Sequence, residues 1–386
     1  MLQRCCVRVC GGVALVLAVS AVLAAADLSD ALQAIKSVDS EGRGNADAAG
    51  AFKLLARERA AALPSILAAL DDANPLAANY LRNAIEAIAQ RELQQGGKLP
   101  VEALEAFVQE TAHAPRARRL AFELLARVDQ SAPDRLIPGM LNDPSVELRR
   151  DAVQRLIVQG NEQFEKENKS DAKATYERAI ASARDDDQVQ AIKKRLAELG
   201  EKVDLPRHFG FLLNWRLIAP FDNVEKKGFN VVYPPEKELD FNAEYEGKEG
   251  MKVRWTSHTT DNEYGIVDLA KALAPFKGAI SYAATEFVSD KERTVDFRLG
   301  TPNSWKVWLN GELLFAREEY HRGMSLDQYR MRGKLKAGKN VILIKVLQNE
   351  QTEEWAQRWQ FQLRVCDATG TAVLSADRTA AQSPAG

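Results

Sequence analysis

The sequence predicts a multidomain chain in which an α-helical repeat array is followed by an antiparallel β-sandwich. Between residues 45 and 200, Ala, Leu and charged residues dominate, and apolar residues recur at helical spacing, as in the run Leu63–Leu70. After Leu205-Pro206, Trp, Phe, Tyr and Val cluster in short runs that alternate with polar residues. The period at which apolar residues recur thus changes from 3.6 residues to two, which predicts two separate cores with a boundary near Pro206.

The first 26 residues have the features of a secretory signal. Arg4 and Arg8 precede an apolar run over Val13–Ala26, and small residues stand before Asp27. The run is shorter than the roughly 20 apolar residues that span a bilayer. We therefore expect cleavage before Asp27, no membrane span afterwards, and a periplasmic or secreted mature protein. A retained N-terminal anchor is the alternative.

Charge and cysteine content exclude several classes of function. Removal of residues 1–26 takes away two arginines and no acids, so 50 basic side chains face 54 acidic ones. That balance gives no indication of nucleic-acid binding, which requires a basic face. Cys366 is the single cysteine after residue 26, so an internal disulfide and a closed Cys/His zinc site are both excluded.

Three blocks of the helical part share one pattern, after a predicted linker over 27–44. Each block begins with proline and reaches glutamine fifteen residues later, at 75–90, 115–130 and 144–159. One helical face of each carries apolar residues at the same three offsets, namely Ala77, Ala84 and Ile88, then Ala117, Leu124 and Val128, then Val146, Val153 and Ile157. Asn74 and Asp143 stand where N-caps are expected before proline, whereas Ala114 lacks a capping side chain.

The segment "RLIPGMLNDPSVELRRDAVQRL" resembles HEAT repeats through Pro138, Asp143, Val146 and Arg149. The resemblance implies a HEAT-like array over 45–159 that offers a surface to a protein partner. The shared helical face of the blocks predicts that Leu124 and Val153 point inward and that Arg118 and Arg149 point outward.

Residues 160–203 predict two more helices. Ala172, Tyr176, Ala179 and Ile180 form one apolar face, and the next helix carries another from Val189 to Leu199. The pair resembles a tetratricopeptide-type unit.

The C-terminal part predicts strands at 293–300, 305–309, 340–347 and 359–367. The run over 340–347 is apolar on both faces, as in a central strand, and Asn310-Gly311 predicts a hairpin. Trp305, Leu309 and Trp359 are expected in the core.

"WKVWLNGELLF", "LKAGKNVILIKVLQ" and "WQFQLRVCDATG" resemble the galactose-binding-like jelly-roll sandwich over residues 206–375. Residues 376–386 are small and polar, which predicts a disordered tail. The fold occurs as carbohydrate-binding modules, so the resemblance implies a carbohydrate or another cell-envelope ligand. Rings beside charged groups suit a sugar, because a ring covers its apolar face while polar groups bond its hydroxyls. The candidate ligand residues are Tyr320, His321, Arg322, Trp308 and Trp355. For this loop, a solvated structural role is the alternative.

Acidic loops suit calcium, and the resemblance also implies a structural calcium. The candidate ligands are Asp222, Asp240 and Asp261, although no loop has EF-hand spacing. No other cofactor is expected.

Catalytic motifs are absent from the sequence, which has no G-x-S-x-G, no H-E-x-x-H and no P-loop. We therefore expect an exported non-catalytic binding protein. A purely structural envelope protein and a glycoside hydrolase are the alternatives.

Overall fold

The computed structural model describes residues 27–380, so the predicted signal and the end of the predicted tail lie outside it. The chain is helical first and antiparallel β afterwards, as the sequence predicts. One compact unit ends at Ile192 and the second begins at Lys193. The division therefore falls inside a helix, earlier than the boundary that the sequence places near Pro206.

The helical unit is a succession of helices with short connections. In residues 27–192 its helices are α1 (residues 27–36), α2 (Asn45–Leu55), α3 (Leu63–Ala68), α4 (Pro75–Gln94), α5 (Val101–Gln109), α6 (Pro115–Val128), α7 (Ala132–Leu136), α8 (Val146–Glu165), α9 (Lys169–Ser182) and the first half of α10 (Asp186–Glu198).

Helix α1 replaces the linker that the sequence predicts over 27–44. Ala31, Ile35 and Val38 are buried in the same core as the later helices. The prediction was wrong because the apolar residues here are few: Ala31 and Ile35 lie one turn apart on the same face of α1, and Val38 follows the end of the helix.

The proline-initiated blocks form helices α4, α6 and α8. Asn74 caps α4 by accepting hydrogen bonds from the amides of Leu76 and Ala77, at 3.0 and 2.9 Å. The predicted cap of α8 was wrong, because Ser145 takes that role and Asp143 is drawn into the interior. Val146 is consequently the first residue of α8 and is 42% exposed instead of buried.

Most other inward positions of the blocks are confirmed, since Leu124 and Val153 are fully buried. The outward placement of the two arginines was wrong. Arg118 and Arg149 are 1% and 5% exposed, and Arg118 forms an ion pair with Asp143 inside the helical unit.

Helix α8 runs through the predicted boundary at 159/160 and packs along α9. Tyr176 is fully buried against α8, and its hydroxyl donates to Oδ1 of Asn161 at 2.8 Å. A Cβ at Gly160 would lie 2.7 Å from the Tyr176 ring, so glycine permits this close approach.

The C-terminal unit consists mainly of strands. In residues 193–380 they are β1 (Asn214–Asp222), β2 (Glu244–Glu246), β3 (Lys252–Arg254), β4 (Thr256–Thr259), β5 (Val267–Asp268), β6 (Ala279–Ser289), β7 (Arg293–Gly300), β8 (Ser304–Leu309), β9 (Glu312–Arg317), β10 (Tyr329–Leu335), β11 (Gly338–Gln348) and β12 (Gln360–Cys366). Four short helices accompany them, α11 (Leu205–Phe209), α12 (Pro234–Lys237), α13 (Leu269–Ala272) and α14 (Ala376–Ala380).

Two antiparallel sheets face each other across one core. The larger has the order β4-β1-β6-β11-β8-β9, and the smaller has the order β10-β7-β12-β5. Trp305 of the larger sheet and Phe297 and Phe361 of the smaller are fully buried in the same cluster. The β-sandwich, the central position of β11 and the burial of Trp359 agree with the expectations.

The hairpin between β8 and β9 turns at Asn310-Gly311, as predicted. Both residues have positive φ, 53° and 86°, which a two-residue hairpin turn of this type requires.

The outer face of the larger sheet is covered by the segment 224–255. Lys345 of β11 is fully buried there, and its ammonium donates to Oε1 of Glu236 at 2.8 Å and to the carbonyl of Val231 at 2.7 Å. Burial lowers the pKa of Lys345, and Glu236 opposes that effect. These bonds tie the covering segment to the sheet.

The tail that the sequence predicts over 376–386 begins with the short helix α14 at Ala376–Ala380. The rest of this tail lies outside the described residues. Within residues 27–380, none of the helices is both long enough and apolar enough to cross a membrane.

Candidate functional site

Three loops of the sandwich line an open depression of about 590 Å³. The loop after β7 contributes Pro302, the loop after β9 contributes His321–Gly323, and the loop after β11 contributes Glu354, Trp355 and Arg358. The structure thus brings together His321, Arg322 and Trp355, three of the five predicted ligand residues.

Trp355 has the most exposed aromatic ring among the candidates, with 61% of the residue accessible. Its ring meets the imidazole of His321 edge to face, with centroids 5.0 Å apart and an interplanar angle of 86°. Nε2 of His321 donates a hydrogen bond to Oδ1 of Asn349 at 2.8 Å. The imidazole is therefore held in place, and one side of the indole is supported while the rest faces solvent.

Charged groups surround this ring. Arg322 binds Glu319 through Nη2 and Nε, both at 3.3 Å, and its amide donates to the carbonyl of Pro302 at 3.1 Å. Burial favours a raised pKa for Glu319, but Arg322 and Arg317 outweigh it and the pKa lies below its usual value. Glu319 therefore stays ionised and fixes the direction of Arg322.

Arg358 and Glu354 are exposed at the same depression. Neither side chain forms an ion pair with another residue between 27 and 380. They can therefore donate to and accept from a ligand without first breaking a bond within the protein.

A buried amide network lies beneath the loops. Nδ2 of Asn303 donates to Oε1 of Gln348 at 3.2 Å and to the carbonyl of Arg358 at 3.1 Å. The amide of Gln360 donates to Oδ1 of Asn303 at 3.1 Å, and Nε2 of Gln348 donates to the carbonyl of Ala356 at 3.0 Å. The loop that carries Trp355 is thereby fixed to the strands, which is what a preorganised binding surface requires.

Sequence reasoning missed this network. Its members are common polar residues, and only their simultaneous burial distinguishes them. The sequence gives one weak signal for it: Asn303, Gln348 and Asn349 lie at or beside the ends of apolar strands. Polar residues at such positions are normally exposed, so their position alone does not predict burial.

Tyr320 does not line the depression. Its ring packs against the cluster on the outer face of the larger sheet, and its hydroxyl accepts from Nδ2 of Asn223 at 3.1 Å. Lys226 lies 5.4 Å from the ring centroid. Burial raises the pKa of Tyr320, so the phenol stays protonated at neutral pH. Tyr320 therefore supports the outer face of the larger sheet instead of this depression, and its role in ligand binding stays a prediction.

Trp308 also lies apart from the depression. It stands opposite Leu343 on the outer face of the larger sheet and packs, half-buried, against the same cluster as Tyr320. The structure thus assigns packing contacts to Trp308, and these explain its position without a ligand.

The three candidate calcium ligands do not come together. Asp222 ends β1, whereas Asp261 follows β4 next to the opposite end of β1, where Thr259 pairs with Asn214. Asp240 lies in a turn, and its carboxylate accepts from the amide of Asn242 at 2.9 Å. No group of three or more His, Cys, Asp or Glu side chains in the described part of the chain is arranged to hold a metal ion.

Cys366 is buried beside the outer face of the smaller sheet. Burial raises the pKa of its thiol to about 11, so it is protonated at neutral pH and unsuited to nucleophilic attack.

The depression offers recognition chemistry: one exposed ring, a fixed imidazole, two guanidinium groups and one carboxylate. Glu354 is the carboxylate among its lining residues, whereas hydrolysis of a glycosidic bond generally uses a pair of them.

No protein-family model matches the chain, and no curated protein matches it significantly. Among solved structures the chain is similar to a selenomethionine-labelled β-glucosidase from Kluyveromyces marxianus, with 13% identity and a TM-score of 0.25. It is also similar to the β-glucosidase from that organism in complex with glucose, with 12% identity and a TM-score of 0.26. Both comparisons cover 45% of this chain and 21% of the β-glucosidase, so the chain spans about one fifth of that protein. Similarity this weak assigns neither a family nor an activity.

Proposed function

We propose that this chain is an exported, non-catalytic binding protein whose β-sandwich binds a glycan of the cell envelope or its surroundings. The contact is made at the depression around Trp355, His321, Arg322 and Arg358. The helical unit presents its surface to a protein partner, so that the chain acts as an adaptor.

One observation carries the proposal. Trp355 keeps most of its ring in solvent although it sits on a rigid, buried hydrogen-bond network and against an oriented imidazole. A solvent-facing ring on a fixed support is preorganised for a ligand, because little side-chain freedom is lost on binding. A pyranose fits, because its apolar face covers the ring while its hydroxyls reach Arg358 and Glu354.

The decisive experiment is calorimetric titration of the full mature chain with glycans selected on an array. Trp355→Ala should weaken binding by about fivefold to tenfold, since one aromatic contact contributes roughly 1 kcal/mol. Trp355→Phe should retain part of the affinity.

Phe315→Ala is the matched control, because Phe315 is also exposed, at 48%, but lies on β9 outside the depression. Its affinity should equal that of the parent. Equal losses in Trp355→Ala and Phe315→Ala, or no glycan binding by the parent chain, would refute the proposal in favour of a purely structural sandwich.

A hydrolase is tested separately with chromogenic glycosides. Turnover that survives Trp355→Ala would place an active site elsewhere in the chain.

Export is proposed from the apolar run before Asp27, and N-terminal sequencing of the native protein tests it. A mature chain that begins at Met1 in the cytoplasm would contradict it.

A further inference from the structure

The outer face of the smaller sheet carries a row of basic side chains along its edge strand, β10. Met331 and Leu335 point into the core, so the alternate residues Arg330, Arg332 and Lys334 point outward, and all three are exposed. Alternate residues of a strand are about 6.6–6.8 Å apart, so these three form a straight line of positive charge about 13 Å long. We refer to them as the β10 row.

Two buried arginines and two aspartates lie next to this row on the same sheet face. Arg298 of β7 stands opposite Arg330 and is in turn opposite Arg364 of β12. Asp327 accepts from Nη1 of Arg298 at 2.7 Å and from Nε and Nη2 of Arg364, both at 2.6 Å. Asp296, which stands opposite Arg332, accepts from Nη2 of Arg298 at 3.1 Å. The two arginines and the two aspartates therefore balance, and the net positive charge of this face comes from the β10 row.

The β10 row itself is poorly neutralised. Arg330 approaches Asp327 at only 4.0 Å, and Arg332 forms no ion pair with any residue between 27 and 380. Lys334 pairs with Glu292 at 2.6 Å, but both side chains are more than 60% exposed, where such a pair is weak. Positive charge thus accumulates locally in a chain whose net charge is −2.

We propose that the β10 row binds an acidic polysaccharide, a linear chain whose carboxylates lie along Arg330, Arg332 and Lys334. Arginine suits this ligand because its planar guanidinium can bind a carboxylate through two hydrogen bonds. The single-file arrangement at a sheet edge matches a linear polymer better than a membrane, which would contact a broad basic surface. None of the three row residues lines the depression around Trp355, so the proposal stands independently of the function proposed above.

Binding of the full mature chain to polygalacturonate, measured by calorimetry at about 50 mM NaCl and again at about 300 mM, tests this proposal. We expect measurable binding at the lower salt concentration and a marked loss at the higher one. Arg332→Gln should weaken the affinity by about threefold with an unchanged melting temperature. Arg332→Glu should weaken it by about tenfold, with a lower melting temperature because the new carboxylate stands opposite Asp296.

Lys252→Glu is the matched control, because Lys252 is an exposed strand residue outside the row and its replacement changes the net charge equally. It should bind within about twofold of the parent. Trp355→Ala should also leave this binding unchanged, which separates failure of this proposal from failure of the glycan site.

Three results would overturn the proposal. They are absence of polygalacturonate binding at low salt, equal weakening by Lys252→Glu and Arg332→Glu, and binding to phosphatidylglycerol vesicles without binding to polygalacturonate.

Discussion

Arg118 shows how the partner of a single side chain decides its position. Its guanidinium donates to both carboxylate oxygens of Asp143 at 2.7 Å and to the carbonyl of Val108 at 2.8 Å, and the residue is 1% exposed. It therefore joins α6 to the end of α5 and to the turn before α8. Sequence reasoning expected an exposed arginine, because the partner lies 25 residues away and helical phase alone does not identify it.

Truncation of this residue tests its structural role. Arg118→Ala leaves Asp143 buried without a counterion, so it should reduce the free energy of unfolding by about 3–5 kcal/mol in urea denaturation. Arg127→Ala on the same helix removes an exposed pair with Glu86 and should cost less than about 1 kcal/mol. Similar losses for the two variants would contradict the assignment of a buried ion pair.

Asp327 predicts a pH dependence of stability. Burial favours a raised pKa for Asp327, but Arg364 and Arg298 outweigh it and hold the pKa below its usual value. A carboxylate with a depressed folded pKa stabilises the protein above its unfolded pKa of about 3.9, and that contribution disappears as the pH falls through the folded value.

Asp327→Asn should therefore destabilise the C-terminal unit at pH 7, by about 3 kcal/mol or more for a broken buried pair. The difference in unfolding free energy between parent and variant should shrink steadily below about pH 4. Urea titrations at a series of pH values measure it. A difference independent of pH would show that Asp327 does not act through its charge.

At the level of elements, the helical unit depends on close approach between neighbouring helices. Gly160 lies inside α8, where a glycine normally weakens a helix, yet the Tyr176 ring of α9 occupies the space that a side chain would need. The sequence predicts both helices from their apolar spacing. It does not predict this contact, because the glycine is recognisable only once the ring is in place.

Gly160→Ala should consequently destabilise the helical unit by about 1–3 kcal/mol, despite the higher helix propensity of alanine. Gly139→Ala is the control, since a Cβ at Gly139 meets no atom within 4 Å, and its unfolding free energy should remain close to that of the parent. Thermal unfolding followed by circular dichroism compares them. Stabilisation by Gly160→Ala would contradict the packing of Tyr176 on α8.

The strands illustrate where local pattern succeeds. β7, β8, β11 and β12 lie where the sequence predicts them, because alternate residues of each strand are apolar and enter the core between the two sheets. The segment 224–255 has no such alternation. Its aromatic residues Tyr233, Phe241 and Trp255 pack on the outer face of the larger sheet through irregular loops, and a periodic pattern cannot reveal this cover.

For the whole molecule, two cores predict two independently folding units. The helical cluster draws on residues up to Ala152, whereas the sandwich core begins at Trp215. A cut in the loop at 199–204 leaves α10 intact. Fragments 27–200 and 203–380 should each unfold cooperatively, with helical and β circular dichroism spectra respectively. A β fragment that stays unfolded alone would show that α10 is an obligatory part of the second unit.

The sequence alone determined the order of the two units, the phase of most helices and the hairpin at Asn310-Gly311, because these follow from periodicity and backbone preference over a few residues. It also named His321, Arg322 and Trp355 as candidate ligand residues, because aromatic and charged residues in a loop can be recognised from the sequence. Only the tertiary structure decided which candidates share a surface. His321, Arg322 and Trp355 line one depression, whereas Tyr320 and Trp308 pack against the cluster on the outer face of the larger sheet. The three aspartates do not form a metal-binding group. The reason is physical: burial of a polar or aromatic side chain depends on partners distant in sequence, such as Asn223 for Tyr320 and Asp143 for Arg118, and folding alone brings them together.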